Sequence, residues 1–406
     1  MMETKPPTVS NLPGGRAPHL LVFEPRVEGH HLAWLRYVVE DFLAAGFRLT
    51  LAIGSRPTAR DRVQQKLASL TTAVQFVAAT DAGGNFRAGG KLRAIAACLQ
   101  ESGAQEVFLP NLDEIASRCL RLAAFGILPP RLLRGRLSGV YFRPRFLANP
   151  FWPPGNLLKE TGLRRMGRGR WFQRVWVLDE YLRAASAERC GVPQLEFLPD
   201  PWSGDFTHPQ HEARRKLGIP RERCVFLSFG IGARRKGLHL VLRAMQRLPD
   251  GSDALLLCAG RITADREITA GLRRLEARGQ ALVLDRYVSD AESELCFCAS
   301  DIVLLPYVKH FGSSSVLSAA AAAGKMVIAT GAGLLQRRIE EHALGWLFPP
   351  QNVKALGARM AAAVRLSGAD RAGFREAALR YARTCSRERF RQALLAPYGY
   401  QVPPPG

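Results

Sequence analysis

A chain of 406 residues exceeds what one hydrophobic core ordinarily fills, about 250–300 residues, so two domains are expected. Its 47% hydrophobic and 23% charged residues are those of an ordinary globular protein, which excludes disorder, collagen-like repeats or coiled coil as the main architecture. The charge is less ordinary: 57 Lys and Arg against 35 Asp and Glu leave a formal +22, which asks for a polyanionic partner such as nucleic acid, acidic lipid or a phosphorylated small molecule. GC-rich codons would explain why 48 of the basic residues are Arg and 9 are Lys, but not the shortage of acids.

Residues 1–18 carry no apolar stretch of the kind that marks a secretory signal and read as a flexible tail. HLLVFEP (19–25) then reads as a strand, a turn follows around Gly29, and residues 31–46 have the apolar spacing of a helix ending at Gly46. FRLTLAIG (47–54) closes a βαβ unit. Further apolar runs at 73–78, 106–110, 137–142 and 175–179 continue the alternation. Apolar strands alternating with helices predict a parallel sheet covered on both faces, hence a doubly wound domain over 19–195. Segment 155–172 holds many glycines and reads as a loop. The three prolines and polar residues of 196–212 suit a linker, taken to extend over 196–222.

The alternation restarts over 223–375, with strands at 224–230, 253–260, 281–288, 301–307 and 326–330 separated by helical stretches. Residues 376–406 complete a C-terminal helix and tail, expected to pack back on the first domain. The fold class is therefore α/β, two tandem doubly wound domains, with ligands expected in a cleft at the carboxyl ends of the strands. The most membrane-like stretch, Val316 to Leu335, is rich in Ala and Gly, carries Lys325 and divides into a helix-like and a strand-like half, which argues against a span. Of the eight cysteines only Cys296 and Cys298 are close in sequence, and no second pair completes a zinc set. Buried free thiols in a cytoplasmic protein are expected.

Two strand-to-helix junctions in the second domain carry the chemistry. In FGIGARRKGLHLVLRAM (229–245), Arg234, Arg235 and Lys236 follow a glycine-bearing turn. In YVKHFGSSSVLSAAAAAGK (307–325), Gly312 and Ser313, Ser314 and Ser315 open a helix of small residues. Helix N-termini present unpaired N–H groups and partial positive charge, so cations at one junction and a Gly/Ser nest at the other would grip a diphosphate from two sides. Neither a Walker A loop nor a GxGxxG after the first strand is present, which disfavours nucleoside triphosphate hydrolysis and dinucleotide binding.

LPDPW (198–202), ARRKLGI (213–219), the RKG and LRAM stretch, RYVSDAESELCFCASDIVLLPY (286–307) and the run from GSSSVLS to GWLFPPQN (312–352) resemble the C-terminal half of GT-B glycosyltransferases, in particular the retaining family 4. EGHHLAWLRYVVEDFLAAGFRLTLAIG (28–54) is similar to that family's acceptor-side loop and first helix. The resemblance implies a GT-B fold of two Rossmann-like domains facing across a cleft. It implies hexosyl transfer from a nucleotide-diphosphate sugar, with retention, no cofactor and no metal; the DxD pattern of the other major glycosyltransferase fold is absent. It places the phosphate-gripping lysine on Lys236 and the phosphate loop on Gly312 to Ser315. The family's arginine would fall on Ile231, with Arg234 or Arg235 as substitutes, and its paired glutamates on Phe311 and Ala319, with His310 and Ser318 beside them as donor sugar and ribose candidates. The loss of those glutamates keeps open a catalytically degenerate GT-B-like binding or scaffold protein. Acceptor-side candidates are Gly29, His30, His31, Asn111, Asp113 and Arg143.

The charge is concentrated. Residues 1–114 hold 12 basic and 11 acidic residues, whereas Ile115 to Leu178 holds 13 basic residues and one acid, Glu160. Aromatics interleave with them, among them Phe125, Trp152 and Trp171. Residues 115–178 are thus expected to meet an anionic membrane surface, peripheral on its cytoplasmic face, as would suit an enzyme making glycolipid or polysaccharide in the cell envelope. Nucleic acid is disfavoured, because no recognition motif accompanies the basic residues.

Overall fold

The apolar runs of the first half form parallel strands: β1 (His19–Phe23), β2 (Arg48–Ile53), β3 (Val74–Ala78), β4 (Glu106–Leu109), β5 (Leu137–Tyr141), β6 (Phe172–Val177) and β7 (Leu195–Phe197). The second half gives β8 (Cys224–Phe229), β9 (Ala254–Ala259), β10 (Ala281–Leu284), β11 (Ile302–Leu305), β12 (Met326–Thr330) and β13 (Gly345–Phe348). The computed structural model describes residues 17–26, 30–56, 61, 63, 67–148, 153–182, 195–249, 251–310 and 312–400. Among these, the strands pair as two parallel sheets ordered β3-β2-β1-β4-β5-β6-β7 and β10-β9-β8-β11-β12-β13. This is the expected α/β, doubly wound class.

Each sheet is covered by helices. In the second, Val225, Leu227, Val303 and Leu305 join one core while Phe226, Leu256, Ile302 and Leu304 join another. That period of two is what a sheet buried on both faces requires. The chain divides into two compact units, Met1–Leu198 with Arg391–Gly406, and Pro199–Phe390. The return of the C-terminal segment to the first unit has specific anchors. Trp176 Nε1 donates to the Ala393 carbonyl at 3.0 Å, Arg174 Nε to the Pro397 carbonyl at 3.1 Å, and Tyr398 Oη to Glu106 at 2.9 Å.

Two sequence expectations need correction, and two elements were unforeseen. The stretch read as a linker is largely structured: Leu195–Phe197 is the last strand of the first sheet, and Gln210–Leu217 is a helix. Within it Arg214 is buried, with Nη2 2.6 Å from Asp301 Oδ2, and Trp202 Nε1 donates to the Ala382 carbonyl at 3.0 Å. Partners this distant in sequence are invisible to local composition. Segment 155–172 is mostly helix (Gly155–Arg168), because its glycines serve packing: a Cβ on Gly162 would lie 1.8 Å from the Leu120 carbonyl oxygen, so only glycine lets this helix lie against Asp113–Ala124. The helix Gly333–Glu341 and the strand β13 were not anticipated.

The stretch from Val316 divides as expected, into the helix Ser315–Ala322 and the strand β12. Among the described residues no helix is long and apolar enough to cross a membrane. Seven cysteines are buried free thiols, and burial pushes those of Cys98 and Cys119 up to about 11 and that of Cys258 up to about 12. Cys190 lies outside the described residues, as does the tail 1–16.

Candidate active site

The order of the second sheet reverses between β8 and β11, so chain segments leave the carboxyl ends of these adjacent strands in opposite directions, where α/β proteins bind ligands. After β8, Arg234–Lys236 make a single 3-10 turn that ends at Gly237 with φ of 77°. A Cβ on Gly237 would lie 1.8 Å from the Pro306 carbonyl oxygen, so the turn lies flush on the chain leaving β11. The Val308 N–H donates to the Arg235 carbonyl at 3.0 Å and locks the two segments together.

This apposition brings the two sequence-predicted junctions into one site. Lys236 Nζ donates to Tyr307 Oη at 3.0 Å and lies 4.3 Å from the centre of its ring. Tyr307 Oη is in turn 3.1 Å from Ser314 Oγ. Ser314 stands at the N-cap of the helix Ser315–Ala322 but makes no capping bond with its side chain, leaving its hydroxyl for the tyrosine. Ser313 Oγ accepts from Arg338 Nη1 at 2.7 Å and bonds to the Asp200 carboxyl. His310 packs edge-on against Tyr307, ring centres 4.7 Å apart, with Nε2 3.1 Å from the Ser313 carbonyl oxygen. Gly312 and Ser313 are half-buried and Ser315 is exposed.

Asp200, Tyr307 and Arg338 were missed by sequence reasoning. Arg338 had a signal: Leu334, Leu335 and Ile339 are the buried face of its helix, and Arg338 falls on that face, where a cation needs a partner. Asp200 is 6% exposed, and burial pushes its carboxyl up to about 6 against the opposing pull of Ser313, Arg338 and Lys236. The native state therefore keeps a proton that the unfolded chain releases between about pH 4 and 6. The stability this proton confers is complete below that window and lost as pH rises through it. Asp200→Asn is accordingly expected to compare more favourably with the wild type at pH 8 than at pH 5. The rise of the Asp200 carboxyl to about 6 bounds the change at about 3 kcal/mol. Thermal denaturation of both proteins at the two pH values measures it, and a constant difference would refute it.

Other candidates fare differently. Arg234 Nε is 2.6 Å from Asp265 Oδ2 and its Nη2 is 2.6 Å from Glu267 Oε2, so its charge is already neutralised by the start of the helix Arg266–Ala277. Arg235 is exposed and forms no ion pair among the described residues. Ser318 is fully buried and donates to the Asp200 carbonyl at 2.8 Å, so it braces the site from beneath and is not available to a ribose. In the first unit, the carboxyl of Asp113 accepts from the Phe142 N–H at 2.6 Å and is paired electrostatically with Arg143, at the carboxyl ends of β4 and β5. Burial raises the Asp113 carboxyl. The amide oxygen of Asn111 beside them is buried without a hydrogen-bond partner among the described residues. Gly29 and the side chains of His30 and His31 lie outside the described residues, as does Phe311.

Beside the Ser/Gly loop a cavity of about 230 Å³ opens among Tyr307, His310, Thr330, Leu335, Pro350 and Gln351. Thr330 Oγ1 is buried there without a hydrogen-bond partner among the described residues. An amine, a helix N-terminus opened by Gly and Ser, and a neighbouring pocket together suit a phosphorylated ligand with a compact polar appendage.

Comparison with known proteins agrees with the fold. Residues 209–381 match the family model described as glycosyl transferases group 1. A glycosyltransferase from Rickettsia africae ESF-5 is similar at 14% identity, covering 95% of this chain and 98% of that one with a TM-score of 0.66. Anabaena Alr3699/HepE, solved with UDP, is 15% identical over 94% of this chain and 99% of its own, with a TM-score of 0.66. Sucrose-phosphate synthase from Thermosynechococcus elongatus is 16% identical over 95% and 98%, with a TM-score of 0.63. No curated protein sequence matches. The chain thus shares the GT-B fold of these structures, and its residues 209–381 match the glycosyl transferases group 1.

Proposed function

We propose that the chain transfers a hexosyl group from a nucleotide-diphosphate sugar to an acceptor, with retention, in the manner of family 4, without a metal or other cofactor. The observation that carries this is the Lys236–Tyr307–Ser314 chain of hydrogen bonds, which sets an amine beside a Gly/Ser helix N-terminus at the strand ends of the second unit. As the bond from the anomeric carbon to the diphosphate oxygen breaks, negative charge grows on the diphosphate. Lys236 and the N–H groups of Gly312 to Ser315 would stabilise that charge, with Tyr307 fixing the direction of the amine. Arg235 adds an exposed cation at the rim, and the cavity beside His310 and Thr330 would take the nucleoside or sugar. Acceptor recognition is assigned to Asp113 and Arg143 of the first unit, together with the segment around Gly29, His30 and His31. A glycolipid or polysaccharide is the proposed acceptor, and a reducing, cytoplasmic setting accords with the buried free thiols.

The test is thermal denaturation with UDP, GDP, ADP and dTDP and their sugar derivatives in the presence of EDTA. A ligand at about 100 times its Kd adds about 2.7 kcal/mol, a rise in Tm of a few degrees for a protein of this size. One base is expected to stand out, and its sugar derivative to be hydrolysed slowly in the absence of acceptor. No shift with any nucleoside diphosphate would refute the reading.

A further inference from the structure

The helices Asp113–Ala124 and Gly155–Arg168 lie side by side, and their outward face has a composition that donor chemistry does not use. The first exposes Arg118 and Arg121; the second exposes Leu157, Arg164, Arg165 and Arg168 at helical spacing. The one acid between Ile115 and Leu178, Glu160, is buried and paired with Arg164 at 2.9 Å. Arg118, Arg121, Arg165 and Arg168 form no ion pair among the described residues, so the face is cationic without internal compensation.

A projecting apolar loop adjoins it. Phe125 is 71% exposed, Ile127 59%, Leu128 41% and Leu132 38%. The loop and helix are contiguous: Arg165 Nη1 donates to the Ala124 carbonyl at 3.3 Å, and a Cβ on Gly126 would lie 3.7 Å from that same Nη1. Arg131 and Arg134 flank Leu132, and Arg134 Nε donates to the Gly169 carbonyl at 2.8 Å, tying the far side of the loop to the end of the second helix.

We propose that this face docks the protein on an anionic lipid surface, with Phe125, Ile127 and Leu128 entering the headgroup boundary and the surrounding arginines meeting lipid phosphates. Two chemistries compete for such a surface and fit less well. A nucleic acid backbone would satisfy the arginines but leave Ile127, Leu128 and Leu132 in water, since aliphatic side chains neither stack on bases nor bind phosphate. A second copy meeting this face by two-fold symmetry would set unpaired arginines against unpaired arginines. An anionic bilayer alone offers negative charge and an apolar interior within a few ångströms of each other.

The test is co-sedimentation of the full chain with vesicles of phosphatidylcholine alone or with 30% phosphatidylglycerol, across a salt series. The wild type should bind the anionic vesicles and release with rising salt. Each arginine contributes roughly fivefold, so reversing Arg121, Arg165 and Arg168 together to Glu should weaken binding roughly a hundredfold or more. Phe125→Ser with Ile127→Ser should weaken it about tenfold at low salt and make the remainder wholly salt-sensitive. All these side chains are exposed, and unchanged Tm values confirm that the variants fold. Equal binding to neutral and anionic vesicles, or none at low salt, would overturn the proposal. So would tighter binding to duplex DNA or RNA than to vesicles, or self-association in sedimentation velocity abolished by Phe125→Ser. The donor experiments above share none of these residues, so the two readings fail separately.

Discussion

Lys236→Ala is expected to lower kcat/KM for the nucleotide-sugar by about 100- to 1000-fold, the usual consequence of deleting one donor aimed at charge that develops in the transition state. Most of the loss should fall on kcat, because the diphosphate carries more charge as the sugar departs than it does when first bound. The fold should be little disturbed: Lys236 is half-buried, and its side chain bonds a tyrosine hydroxyl that retains Ser314 as a partner. Lys236→Arg should recover little, since the guanidinium is larger, planar and more diffuse in charge than the compact ammonium that Lys236 sets beside Tyr307 Oη. Arg234→Ala serves as the contrast. Its guanidinium is already held by Asp265 and Glu267, so a change of less than about threefold is expected. Steady-state kinetics on the three variants, with the donor identified by thermal shift, decides the matter. A near-normal kcat in Lys236→Ala would remove that residue from the mechanism and leave Arg235 as the nearby cation to test.

The two junctions were legible because each is written locally. Glycine and cations follow a strand in one, and glycine and serines precede a small-residue helix in the other. That they would act on one diphosphate was expected from their shared place at strand ends, but the contact that joins them was not legible, because it depends on Gly237 lying against Pro306 and on Tyr307, which in sequence is only the last apolar residue of a strand. Asp200 was hidden for a related reason. It stands in a proline-rich stretch that reads as linker, yet its carboxyl is bonded to Ser313 and its carbonyl to Ser318, more than a hundred residues onward. Ser318 shows the converse error. A hydroxyl one position from a family functional site reads as a ligand group until burial shows it spent on the backbone. The helix Gly155–Arg168 was misread because glycine opposes helix in an isolated chain by about 1 kcal/mol per residue, a cost that close packing against Leu120 overrides.

Gly237→Ala should be among the most damaging single-methyl changes in the second unit. Two costs add. Alanine at φ of 77° is strained by about 1–2 kcal/mol, and the new Cβ at 1.8 Å from the Pro306 carbonyl oxygen forces backbone apart at a further cost of about 1–3 kcal/mol. Gly230→Ala separates them: its φ of 94° brings the first cost, but a Cβ there meets nothing within 4 Å. Urea denaturation should therefore show Gly237→Ala losing about twice what Gly230→Ala loses, or more. The functional consequence is sharper than the energetic one. Relief of the overlap requires the Arg234–Lys236 turn to lift from the chain after β11, which breaks the Val308-to-Arg235 bond and carries the Lys236 amine away from Tyr307. Under conditions where the variant is still folded, its kcat should approach that of Lys236→Ala, and combining the two changes should cost little more than either alone. Additive losses would mean that the turn and the lysine act independently, and that the apposition of Gly237 and Pro306 serves stability alone.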